Sequence, residues 1–295
     1  MRRAFANAIL AKCDKEDWFF LTGDLGFMAL EEVQAAYGSR FINAGVAEQN
    51  MIGVAAGLAR EDLRVVVYSI APFCYARPFE QIRNDLCLGN LPVCLVGNGG
   101  GYAYGYMGPT HHALEDCASM NALGLRVLVP AFDDDLGALL ANLEVPTYLR
   151  LGHEIKPNGA RAPEYAPWRE LLVGNCGAIA ALGPLAGIAW EALAALPINS
   201  RPSVWAVCEF SESDIPSKFF DQINDQQLYV LEEHVAQGGL GMHLSLFIVK
   251  RGLKVKRFVH RTALGYPTGR FGSQKFHRAQ CGLDSSSVLA MVSNG

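Results

Sequence analysis

Long apolar runs are missing from this chain of 295 residues. None reaches the ~18 uninterrupted apolar positions that a spanning helix needs, so no transmembrane segment is expected. Arg2 and Arg3 precede a short apolar stretch, but Asn7 interrupts it and residues 12–17 are dense in charge, so no signal peptide is expected either. Basic clusters are also missing. The formal charge is -4, and no run of Lys and Arg interleaves with aromatics, which argues against nucleic acid as a partner. The eight cysteines stand singly with no CxxC pair, so neither a zinc site nor a redox dithiol is signalled. Buried free thiols in a reducing cytoplasm are the expectation. The glycine cluster GNGGGYAYG (97–105) lacks the GxxxxGK[ST] spacing and no helix pattern follows it at once, so it gives no nucleotide-binding signal.

What the chain has in quantity is core. Apolar residues make up 51% and charged residues 18%, the balance of a globular protein, and the length suits two domains. Short apolar runs alternate with helical patterns: WFFLT (18–22), a helix from Val46, RVVVYSI (64–70), a helix from Phe73 to Leu88, LPVCLVG (91–97), LRVLVP (125–130), a helix from Asp133 to Leu143, and PTYLRL (146–151). Strands that read as unbroken Val, Leu and Ile are covered on both faces, which predicts a parallel sheet between helices. Residues 152–170 carry prolines and glycines without apolar period and read as a linker. Beyond them GAIAALG (177–183), SVWAVC (203–208), LYVLEE (228–233) and KVKRFV (254–259) repeat the alternation. The fold class expected is therefore α/β with two doubly wound domains, over residues 1–155 and 175–295, joined by a linker over 156–174. The glycine-rich loop at 97–105 follows a strand end, where open α/β sheets bind ligands; a mobile surface loop is the alternative.

One helix poses a chemical question. In GVAEQNMIGVAAGLA (45–59) nearly every residue is small or apolar, yet Glu48 stands in its first turn. Glycine inside a helix costs ~1 kcal/mol relative to alanine, so close packing by another backbone has to offset Gly53 and Gly57. A carboxylate in such a surface would be desolvated and needs a partner. Either Glu48 caps its own helix, as acids in a first turn do, or a group with hydrogen-bond donors meets it.

The neighbouring motifs bear on that choice. RFINAGVAEQNMIGVAAGLA, a strand, APFCYARPFEQIRND, LPVCLVGNGGGYAYGYMGPTHHALEDCASM and LRVLVPA occur in this order. Together, over about residues 20–152, they resemble the pyrimidine-binding domain of the transketolase family, above all its deoxyxylulose phosphate synthase-like and split members. LYVLEEHVAQGGLGMHLS is similar to that family's C-terminal domain. The resemblance implies that Glu48 pairs with N1' of the aminopyrimidine of thiamine diphosphate at a subunit interface, and that Phe73 packs on the ring, with Tyr75 as the alternative. It implies that Asp24 of TGDLG approaches the cofactor, unless it only forms a turn. His111 of GPTHH would face the reactive carbon and the substrate, with His112 as competitor. Arg150 of YLRLG would bind an acceptor phosphate or else form an interface ion pair, and Arg77 is a further anion contact.

The family's GDG segment, which holds the diphosphate through Mg2+, is absent. The resemblance thus implies a split enzyme: an N-terminal transketolase-like subunit carrying GDG holds diphosphate and Mg2+, and the pair doubles to a heterotetramer. The implied activity is transfer of a two-carbon ketol unit from a ketose, or its phosphate, to an aldose. Alternatives are the beta subunit of a 2-oxo acid dehydrogenase, whose HSQS-like segment is missing, a pyruvate-decarboxylating synthase, or a silent partner subunit. Met107 stands where the family carries an acid before GPTH, and a histidine is lacking near Asn98 and Gly99, so donors other than the ordinary pentose and hexose phosphates are expected.

Overall fold

Side chains alternate across a strand, and in β3 (Arg64–Ile70) this decides the architecture. Val65 and Val67 enter one apolar cluster, Val66 and Tyr68 another, and all four are buried. Both faces must therefore be covered. In the computed structural model, which describes residues 1–293, they are. The first sheet joins β1 (Trp18–Thr22), β2 (Phe41–Asn43), β3, β4 (Val93–Asn98), β5 (Arg126–Leu128) and β6 (Thr147–Leu151) in the order β2-β1-β3-β4-β6-β5. Every pairing is parallel. One face is covered by α1 (Arg2–Leu10) and α2 (Glu31–Tyr37), where Phe5 and Ile9, one helical turn apart, are fully buried and Phe5 stacks on Tyr68 at 5.8 Å. The other is covered by α3 (Glu48–Arg60), α4 (Ala71–Tyr75) and the helix Asp116–Ala122. Each fully buried Val or Leu contributes about 1.5–3 kcal/mol, so the sheet is the main source of this domain's stability.

The second sheet has the order β11-β10-β8-β9-β7, from β7 (Trp168–Leu172), β8 (Ala178–Leu182), β9 (Ser203–Val207), β10 (Gln226–Leu231) and β11 (Val255–Arg261). All its pairings are parallel except β7 with β9. β7 lies within the stretch expected to be linker. Its pattern is masked because Arg169, at a buried position, pairs with Asp135.

Two local expectations are corrected, and one strand is new. The helix expected from Phe73 to Leu88 is broken into α4, a turn at Phe79–Gln81 and a π-helical Ile82–Cys87. Pro78 explains the break, since it offers no N–H and disfavours helical backbone at Arg77. The helix expected from Asp133 to Leu143 is a 3-10 turn, Asp133–Asp135, followed by the short Leu136–Leu139. The strand β2 was not anticipated.

Two ion pairs, one half-buried and one fully buried, fasten the two sheets' domains together. Arg126 grips Glu209 through Nε and Nη2 at 2.9 and 2.8 Å, and Arg169 Nη2 meets both oxygens of Asp135 at 2.7 and 2.8 Å. Such pairs offset their own desolvation poorly and act chiefly on geometry: they set how the domains meet. No helix among the described residues is long and apolar enough to cross a membrane.

Candidate active site

In a parallel sheet the loops that leave the carboxyl ends of the strands converge on one rim. Here that rim carries Asp24 after β1, the turn from Asn43 to Glu48 after β2, α4 after β3, and the glycine-rich loop after β4. Asn43 organises the first part. Its Oδ1 accepts from the N–H groups of Asp24 and Gly45, each at 3.0 Å, and its Nδ2 donates to Asp24 Oδ1 at 3.0 Å. The chain then reverses and α3 begins at Glu48.

Glu48 is 4% exposed. Ala47 precedes the helix without a side-chain cap, and the Glu48 carboxylate instead receives Arg77 Nη1 at 2.8 Å. Of the two alternatives, a donor meets the acid. The donor is in its own chain. The Arg77 guanidinium carbon lies 3.8 Å from the centroid of Phe73, a half-buried ring, and Gln49 Nε2 donates to the Arg77 carbonyl at 3.3 Å. On the other side the His111 imidazole meets Phe73 edge-on, with centroids 5.2 Å apart. Thr110 Oγ1 lies 2.9 Å from His111 Nδ1, and Tyr104, which accepts from Asn98 Nδ2 at 2.7 Å, leans on the same imidazole at 6.2 Å. Glu48, Arg77, Phe73 and His111 therefore form one continuous row. Behind it Cys74 is buried, and burial, aided by Cys94 and Glu48, pushes its thiol up so that it stays protonated.

Other anticipated residues stand apart from the row. Tyr75 is not a ring stacker: it is 4% exposed in the core, and burial, then Asp116 and Glu115, push its hydroxyl up. Arg150 is not free to bind an anion. It is 5% exposed, its Nη2 donates to the carbonyls of Ala113 and Glu233 at 2.8 Å each, and its Nε lies 3.0 Å from Asp116 Oδ2. It forms an ion pair, but one inside its own domain, with Asp116, and not the interface pair expected as the alternative. His112 is buried away from the row, between Tyr266 Oη at 2.7 Å and the Gly105 carbonyl at 3.2 Å. Burial pushes it down, only partly offset by the Gly105 carbonyl, which keeps it neutral. Asp24 is exposed in a left-handed turn with φ of 58° and lines a separate hollow with Phe27, Glu31 and Asn43.

The glycine-rich loop is neither mobile surface nor empty cradle. Gly97 and residues 99–102 are buried, and a Cβ at Gly100 or Gly101 would overlap the Arg150 side chain or the Glu233 carboxylate. The glycines allow backbone to close over a buried charge network. Asp116, Cys117 and His234 also gather within 4.8 Å, but Asp116 accepts from Tyr148 and pairs with Arg150, while both His234 nitrogens are engaged by the backbone at Ala118 and Val235.

Sequence reasoning missed Gln49 and Tyr104. Gln49 had a signal, the last letter of the AEQ motif; Tyr104 had none beyond an aromatic among glycines.

The model of the transketolase pyrimidine-binding domain matches residues 1–154. The chain belongs to the transketolase family. It is 27% identical over 269 residues to one subunit of the apulose-4-phosphate transketolase of Actinobacillus succinogenes, covering 86% of this chain and 84% of that one. A putative transketolase C-terminal section of Methanocaldococcus jannaschii is 30% identical, with 99% and 95% covered. The 1-deoxy-D-xylulose-5-phosphate synthase of Dehalococcoides mccartyi is 31% identical over 90% of this chain, which spans 44% of that protein. Among solved structures, a split-gene transketolase, an inactive β4 tetramer, superimposes with a TM-score of 0.82 at 26% identity, over 99% of this chain and 96% of that one. The transketolase of Leishmania mexicana shares the fold at 17% identity, with a TM-score of 0.79, and is spanned to 45%. Relatives of similar length are thus subunits or sections, and the chain spans less than half of the longer ones.

Proposed function

We propose that this chain is the C-terminal subunit of a split, thiamine diphosphate-dependent transketolase that moves a two-carbon ketol unit from a ketose, or ketose phosphate, to an aldose. One observation carries the reading: a buried carboxylate and an aromatic face are set so that a planar N–H donor lies between them. Arg77 is that donor in this structure, and a guanidinium presents to Glu48 and Phe73 what a protonated aminopyrimidine presents, a flat cation with an N–H edge. The residues fit the pyrimidine end of the cofactor.

When bound, thiamine diphosphate supplies the carbanion chemistry. This chain's residues supply position and protons. Glu48 exchanges a proton with the ring nitrogen, which an acid in hydrogen-bond reach can do. Phe73 holds the ring face, worth about 0.5–1.5 kcal/mol beyond area burial. His111, edge-on to Phe73, donates to a developing oxyanion or shuttles a proton. Asp24, in its own hollow beside the Asn43 turn, takes no part in these steps.

The diphosphate and Mg2+ would be held by an N-terminal subunit carrying GDG, since no such segment occurs here. The outer face of α3 supports a partner. A Cβ at Gly53 or Gly57 would meet only open space, and Val46 and Val54 beside them are 73% and 37% exposed. Among the described residues nothing uses the close approach that those glycines allow, and a heterotetramer built across this face would use it. The Actinobacillus succinogenes relative is named for apulose 4-phosphate, which agrees with a donor outside the ordinary sugar phosphates, as Met107 in place of an acid suggests.

A second reading, a pyruvate-decarboxylating synthase, is favoured by the 31% identity to the Dehalococcoides mccartyi enzyme. Mixing the chain with the N-terminal subunit, thiamine diphosphate, Mg2+ and an aldose, with a ketose phosphate as donor in one arm and pyruvate in the other, separates them. Ketol transfer by the mixture and by neither protein alone is the expected result; release of CO2 from pyruvate instead would establish the second reading. Glu48→Ala should lower turnover by at least ~10²-fold with assembly intact. Retention of most of the rate would remove Glu48 from the mechanism.

A further inference from the structure

The slot between Glu48 and Phe73 is filled by the chain itself. Arg77 Nη1 is 2.8 Å from Glu48 Oε1 and its guanidinium carbon is 3.8 Å from the Phe73 centroid, which is van der Waals contact. No second planar group fits between them. We propose that Arg77 is an internal occupant of the ring site, which seats on Phe73 and Glu48 when no cofactor is present and has to leave before an aminopyrimidine enters. This deepens the reading of the site given above and rests on it.

The local structure is built for such an exchange. Arg77 falls in the helix break before Pro78, outside the frame of α4, and its side chain is 44% exposed while that of Glu48 is 4% exposed. The arginine can swing into solvent at little cost. The glutamate cannot follow it. Gln49 holds the Arg77 carbonyl at 3.3 Å, so the backbone stays while the side chain moves. The pairing also answers a problem of the free subunit: a carboxylate that will meet a ring nitrogen only after assembly would otherwise be buried alone.

A site whose open state is a minority binds with an affinity reduced by that fraction. An ion pair with one exposed partner and a cation–π contact at a half-exposed ring together favour the closed state by about tenfold. Thiamine diphosphate binding to the assembled two-subunit complex, measured calorimetrically with Mg2+ and no substrate, tests this. Arg77→Ala should bind about tenfold more tightly than wild type, and Arg77→Lys, which keeps the charge without the planar fork, should fall between. Millimolar guanidinium chloride should weaken binding by Arg77→Ala toward the wild-type value and leave wild type unchanged, a response that a merely structural role would not give. Should Arg77→Ala not assemble, Arg77→Lys carries the same expectation. Equal or weaker binding by these variants, or indifference of Arg77→Ala to guanidinium, would overturn the proposal while leaving the cofactor assignment in place. A wild-type complex that binds no thiamine diphosphate would end both.

Discussion

Replacing Asp116 with leucine tests the reassignment of Arg150 from anion binder to structural residue. Asp116 is fully buried; its Oδ2 accepts from Tyr148 Oη at 2.8 Å and lies 3.0 Å from Arg150 Nε. Asp116→Leu strands a guanidinium that is 5% exposed, and breaking a buried pair by removing one partner costs about 3–5 kcal/mol. Arg150→Met strands the carboxylate and should cost a similar amount. In the double variant no charge is left unpaired, and what remains is the loss of three hydrogen bonds, those of Arg150 to the Ala113 and Glu233 carbonyls and that of Tyr148 Oη to Asp116, at about 1 kcal/mol each. The double variant should therefore be about 3 kcal/mol less stable than wild type, well below the sum of the single changes. Urea unfolding of the four proteins gives the cycle, and the single variants should melt roughly 10 °C lower than wild type. A cost below about 1 kcal/mol for Asp116→Leu, or additive single effects, would mean that Arg150 is not locked into this network and would return it to the candidates for anion binding.

Two further outcomes are expected. Gly101 has φ of 64° and faces the Glu233 carboxylate, which Arg278, Gln274 and the Tyr102 N–H hold in place, so Gly101→Ala should lose about 3 kcal/mol by denaturant unfolding; a loss under 1 kcal/mol would show that the loop has slack. Stability should also decline with acid in two steps. Burial pushes His112 and His277 down, so the unfolded chain binds protons that the folded one refuses, and stability drops as pH falls through the ordinary imidazole value of 6.5. Burial opposes ionisation of Glu233, but Arg278 and its other partners outweigh it and hold the carboxyl down, so its contribution is present above the ordinary value of 4.5 and lost as pH falls below it. Urea midpoints between pH 7.5 and 5.5 should fall less in His112→Gln than in wild type; parallel profiles would remove His112 as a cause.

The parallel sheet was legible because β3 and β4 are buried on both faces and read as unbroken apolar runs. β2 was not, since three residues carry no period, and β7 was hidden by an arginine whose partner, Asp135, lies 34 positions away. The row of Glu48, Phe73, Arg77 and His111 was legible in its members and not in its arrangement. That Arg77 would lie on Phe73 and Glu48, rather than reach for an anion, depends on an ion pair across 29 positions and on the break at Pro78. The glycines of residues 97–105 carried a misleading signal for a similar reason: what they pack against, Arg150 and Glu233, comes from distant parts of the chain. Long-range charge partners are what a local pattern does not encode.

A crystal structure of the assembled two-subunit complex with thiamine diphosphate bears most directly on the central claim. The aminopyrimidine should lie on Phe73 with its ring nitrogen in hydrogen-bond contact with the Glu48 carboxylate and with Arg77 displaced. A ring bound elsewhere, with Glu48 still paired to Arg77 or turned to solvent, would contradict the account.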